Sequence, residues 1–171
     1  MSAGRRPAVR VMTWNIHGTF NRNPRFDLAR VVQLISRADP DIVALQEVDS
    51  RGAANGNAFN ELRRSLGNHG VGAASIVTQD GGEYGQLLVS RWPIHDTKVS
   101  DISYGEREPR RAISTRVETP FGDLRAVATH LGLSVAERRN QARALLELIG
   151  DASPCVALGD FNDWFWPGSV R

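Results

Sequence analysis

A chain of 171 residues, 41% of them hydrophobic, supports one domain with a substantial core and is short for two. The formal net charge of +2, from 21 basic and 19 acidic residues, admits an anionic substrate without the strongly basic surface expected of a nucleic-acid-binding protein. Cys155 is the only cysteine, which excludes an intramolecular disulfide and a cysteine-based zinc site; no apolar run reaches membrane-spanning length, and the chain reads as soluble and cytoplasmic.

In chain order, residues 9–15 mix β-branched and aromatic side chains as a strand does, and end on Asn15 with His17 just beyond. Residues 22–26 read as a loop. Residues 26–38 then place Leu28, Val31, Val32, Leu34 and Ile35 near helical spacing, and Asp39-Pro40-Asp41 ends that helix. The run 42–46 is a buried strand closed by Glu47, and residues 50–58 form a Gly-, Ala- and Asn-rich loop leading to a short helix that stops about Gly67.

From residue 73 the pattern changes to short strands at 73–78, 86–90, 94–102, 112–118 and 124–129, with reversals at Asp80-Gly81-Gly82 and at 120–123. The best helix signal follows: Ser134 as N-cap, Glu137 three residues on, and Gly150 as the stop, with Ala142, Leu145, Leu146 and Ile149 as the expected apolar face. The segment 154–163 is a buried strand that ends in Gly159-Asp160-Phe161-Asn162-Asp163. No repeat, linker or low-complexity segment interrupts the chain, so residues 1–171 read as a single mixed α/β domain.

Three strands therefore carry oxygen-rich side chains at their ends. Glu47 is the best ligand for magnesium, which takes few protein carboxylates and completes its shell with water and phosphate oxygens. Asp160 can orient or deprotonate water, and Asn162, two residues on, can donate to a phosphate oxygen without repelling it. His130, between a strand and a helix, can stabilise charge on a pentacoordinate phosphoryl group. Lys98 is the only lysine, and the arginine bias suits phosphate oxygens equally with a compositional habit.

The motifs Thr13-Trp14-Asn15-Ile16-His17-Gly18, 41–47 ending in Gln46-Glu47, Tyr84-Gly85-Gln86 through Ile94, Thr129-His130-Leu131 and Gly159-Asp160-Phe161-Asn162 occur in the order found in the endonuclease/exonuclease/phosphatase superfamily, the group of pancreatic deoxyribonuclease, which this chain resembles over nearly its whole length. The resemblance implies a four-layered α/β/β/α sandwich of two mixed sheets and a divalent-metal phosphoesterase using Mg2+, with Mn2+ as the alternative. It implies metal coordination by Glu47 with Asn15 beside it, phosphoryl contact by His130, water activation by Asp160, and phosphate binding by Asn162; Arg110 and His17 are the further phosphate-binding candidates. The expected substrate is a phosphate ester: a small molecule, a lipid headgroup or a nucleic acid.

Two departures from the family pattern stand out. Gln86 replaces the usual Asn, and the terminal Ser-Asp-His segment of the family is absent from these 171 residues. The resemblance thus implies a sandwich incomplete at its C-terminus and impaired hydrolysis by the isolated chain, read in order as a fragment of a longer enzyme, a chain whose missing strands come from a second chain, or a diverged member without hydrolytic activity. The rival reading is a non-catalytic metal- or phosphate-binding module on the same fold.

Overall fold

The computed structural model describes residues 8–18, 26–51 and 57–164. Its elements run β1 (Val11–Asn15), α1 (Leu28–Ala38), β2 (Ile42–Asp49), α2 (Ala58–Leu66), β3 (His69–Val77), β4 (Glu83–Ser90), β5 (Ile94–Asp101), β6 (Arg111–Thr119), β7 (Gly122–His130), α3 (Val135–Ile149) and β8 (Cys155–Asp160). The loop expected at 22–26 lies almost wholly outside the described residues, as does most of the loop expected at 50–58.

Two four-stranded sheets form, ordered β1-β2-β4-β3 and β5-β6-β7-β8. Each is mixed: β1 is parallel to β2 and β7 is parallel to β8, while the other pairs are antiparallel. Strand alternation decides what each face touches. In β2, Ile42 and Ala44 join Leu88, Ile113, Ala128 and Leu158 between the sheets, whereas Val43 and Leu45 turn to α1 and α2 and pack on Ile35, Phe59 and Leu62. A third cluster, built on Val127, Leu131 and Leu145, joins the second sheet to α3. The result is the α/β/β/α sandwich. β1 and β8 are edge strands of their sheets and lie side by side.

The helices start and stop where their caps dictate. Asp27, Asn57 and Ser134 each accept a hydrogen bond from the backbone N–H three residues on, meeting donors that the first turn leaves free. Strand β3 begins at His69, four residues earlier than residue 73, because Gly70 and Gly72 let it pass beneath Arg63 and Phe59 of α2; a Cβ on Gly72 would meet the Phe59 ring at 3.0 Å.

The buried face of α3 keeps the expected Leu145, with Ile149 packed beside it, but is otherwise polar. Glu137, Arg138, Gln141 and Leu145 are buried, and Leu146 is 67% exposed. Glu137, Gln141 and Leu145 recur every four residues and form the inner line, and this rotates Leu146 out to solvent.

Candidate active site

The two parallel strand pairs bring four strand ends to one place. Asn15 ends β1, Glu47 sits near the end of β2, His130 ends β7 and Asp160 ends β8. The parallel register sets His130 directly beside Asp160. Asn15 joins the two sheets: its Nδ2 donates to Glu47 Oε1 at 2.8 Å and to Asp160 Oδ2 at 3.0 Å. Both amide hydrogens are thereby used to hold two carboxylates.

Glu47 reaches this position through a β-bulge. The β2–β4 register steps from Leu45↔Leu87 to Val48↔Gly85, so Gln46 and Glu47 together face Gln86. Val48 then returns to the helix-side core that Leu45 occupies, and Glu47, the extra residue, is aimed out of the sheet end. Its φ of 57° lies in the left-handed region, which costs about 1–2 kcal/mol for a residue with a Cβ. His17 (φ 48°) and Asn162 (φ 50°) share that region, so positive-φ backbone concentrates where the candidate residues meet.

On the β8 side, Gly159 allows the close approach. A Cβ there would strike the Thr129 carbonyl, so only glycine lets β8 lie against β7 just before Asp160. Asp160 Oδ1 accepts from the Asn162 N–H at 3.0 Å. The chain turns after Asp160, so Asn162 does not continue along an extended strand on the same side, as two-residue spacing alone suggests. Its Nδ2 donates to the Leu131 carbonyl at 2.7 Å, and its Oδ1 accepts from Trp164 Nε1 at 3.1 Å.

His130 is buried at 8% exposure. Burial first, and then the Arg110 charge, push its imidazole down to about 4, against the opposing pull of Asp160 and Glu47. It is therefore neutral at pH 7. Nδ1 lies 3.1 Å from Arg110 Nη1, and Nε2 lies 3.8 Å from Asp160 Oδ2. Arg110 is itself only 6% exposed and also meets Glu108 Oε1 at 3.0 Å. His17 is exposed, with Nδ1 3.4 Å from Glu47 Oε2.

The donor set suits a hard divalent cation. No lysine or arginine among the described residues pairs with Glu47 or Asp160, which leaves two carboxylates held together by one neutral amide. No cluster of three His, Cys, Asp or Glu side chains able to hold a metal occurs among the described residues. Asn15 stands beside Glu47 as expected, but it turns its nitrogen there while its Oδ1 accepts from the His17 N–H.

A cleft of about 520 Å³ opens beside these groups, lined by Thr13, Asn15, Gln46, Asp160, Phe161 and Trp164 among others. Sequence reasoning missed two neighbours. Tyr84 is buried on β4 with Arg51 4.5 Å over its ring; burial, then the charges of Glu47 and Glu108, push its hydroxyl up. Glu108 holds Arg110. The adjoining motif residues Tyr84-Gly85 and the acid two before Arg110 are the only sequence signals for either.

Comparison with known proteins adds to this geometry. The model of the endonuclease/exonuclease/phosphatase family matches residues 12–171. The uncharacterized protein YbhP of Escherichia coli K12 is 30% identical over 173 residues, which cover 92% of this chain and 68% of that protein. The solved endonuclease/exonuclease/phosphatase from Beutenbergia cavernae DSM 12333 has 26% identity and a TM-score of 0.77 over 91% of this chain and 48% of its own, so this chain spans about half its length. The mannosyl-6-phosphatase Bt3783 of Bacteroides thetaiotaomicron VPI-5482, 16% identical with a TM-score of 0.73 over 95% of this chain and 68% of that one, shares the fold.

Proposed function

Because the chain belongs to the endonuclease/exonuclease/phosphatase family, whose members hydrolyse phosphoesters and generally use divalent metals, we propose that it is a metal-dependent phosphoesterase acting by in-line attack of water. The observation that carries this reading is the Asn15 amide, which clamps Glu47 and Asp160 together across the two sheets, next to His130.

Glu47 would hold the cation, with Asn15 orienting its carboxylate. A bound Mg2+ or Mn2+ supplies charge neutralisation at the phosphoryl oxygens and the leaving group. Asp160, fixed by Asn15 on one oxygen and by the Asn162 N–H on the other, orients the water and takes its proton as the new P–O bond forms and the ester P–O bond breaks. His130 directs Nε2–H at a phosphoryl oxygen. Asn162 acts through Asp160, and His17, exposed beside Glu47, meets the substrate at the mouth. The near balance of 21 basic and 19 acidic residues favours a small phosphodiester or a lipid headgroup over a nucleic acid.

Hydrolysis of bis-p-nitrophenyl phosphate by Glu47→Gln and Asp160→Asn tests the assignment. Each is expected to lower kcat by about 100-fold or more while the protein stays folded. Unchanged turnover in either variant would remove that residue from the reaction. Cation binding by calorimetry with no turnover in the parent chain would favour the binding-module reading.

A further inference from the structure

An arginine has five N–H donors and no acceptor, so its contact with an imidazole nitrogen fixes where the imidazole proton lies. Arg110 Nη1 stands 3.1 Å from His130 Nδ1; Nδ1 must therefore accept, and the proton sits on Nε2. The same Nη1 forms an ion pair with Glu108 Oε1 at 3.0 Å, which holds the guanidinium between a carboxylate and the ring. Arg110 Nε is sealed from solvent without a partner among the described residues, and the residue is 6% exposed. The guanidinium is thus held against the ring it touches.

The arrangement inverts the familiar pairing of histidine with a carboxylate. A carboxylate on Nδ1 keeps the proton there and leaves Nε2 as a base. Here a cation stands on Nδ1, and Nε2–H faces Asp160 at 3.8 Å. We propose that Arg110 is a positioning residue that locks His130 in the Nε2–H tautomer, so that His130 serves hydrolysis as a hydrogen-bond donor and leaves the part of base to Asp160. The charged and titratable groups facing the ring are Arg110 from the segment before β6, Asp160 from β8, Glu47 from β2 and His17 after β1, and Arg110 is the one hydrogen-bonded to Nδ1. This assignment rests on the phosphoesterase reading and replaces direct phosphate binding by Arg110.

The test is nitrogen NMR of the chain labelled in histidine, read at pH 7 without metal or substrate, beside kcat and KM on bis-p-nitrophenyl phosphate with Mg2+. The parent should carry the His130 proton on Nε2. Arg110→Met should lose that single tautomer and drop kcat about 100-fold with KM within about twofold. Arg110→Lys, which keeps a cationic donor, should restore the Nε2–H form and most of kcat. A parent with the proton on Nδ1 overturns the proposal, as does Arg110→Met that keeps Nε2–H while KM rises, the mark of direct phosphate binding. If Arg110→Met does not fold, the parent tautomer and the Lys variant still decide. Nε2–H without hydrolysis in the parent contradicts the phosphoesterase reading and leaves the lock standing, whereas hydrolysis with Nδ1–H does the reverse.

Discussion

Helices α1 and α2 press Val31, Ile35, Phe59 and Leu62 onto the first sheet, whereas α3 presses Glu137, Arg138 and Gln141, along with Leu145, onto the second. The first contact is made of apolar area removed from water, whereas the second adds to its apolar cluster a set of hydrogen bonds to one loop. Gln141 Oε1 accepts the Gly132 N–H at 2.8 Å, and Arg138 Nη1 donates to the Leu133 carbonyl at 2.6 Å. The Glu137 carboxylate packs so closely on Gly132 that no Cβ fits there. These groups hold the backbone that leaves His130, and Arg138 also reaches Asp163, beyond Asp160 and Asn162, at 3.6 Å. One helix layer supplies stability, and the other spends polar burial on holding the loops that carry the candidate site.

Substitutions that break the two faces should have different signatures. Leu62→Ala, at a fully buried position of α2, is expected to cost about 2–5 kcal/mol in urea unfolding while leaving turnover per folded molecule unchanged.

The site side should respond to pH instead. His130 is held down at about 4 in the folded chain against an ordinary value of 6.5, so between these limits the unfolded state binds a proton that the native state does not. This part of the stability is fully present above pH 6.5 and is lost as pH falls towards 4, by about 3 kcal/mol at most. Urea melts across that window should show the decline, and His130→Gln should flatten it.

Within α3 a smaller loss separates packing from positioning. Gln141→Ala strands the buried Gly132 N–H and should cost about 1–3 kcal/mol together with a fall in kcat, because the segment after His130 loosens. Leu146→Ala, on the face that sequence alone assigns to the core, should change stability by less than about 0.5 kcal/mol.

Apolar periodicity and local chemistry carry far in this sequence. The strand ending at Asp160, the Ser134 cap and the helix over the first sheet are all legible, because each is set by neighbours within a few residues. What escapes is set at long range. The bulge that turns out Glu47 exists only in the register of β2 with β4. The phase of α3 is hidden because Glu137, Arg138 and Gln141 read as a solvated face, and only the loop they hold makes them core. Arg110 stands in a polar run that suggests solvent, and its partner His130 lies twenty residues away on β7. Asn162 looks extended until its positive φ and its bond to Leu131 place it in a turn.

The most direct test of the account is the rate of bis-p-nitrophenyl phosphate hydrolysis as Mg2+ is titrated into metal-free protein. The account predicts turnover that rises to saturation with Mg2+, vanishes on chelation, and is lost in Glu47→Gln. Turnover that survives chelation, or an equal response in the Glu47→Gln variant, would contradict it.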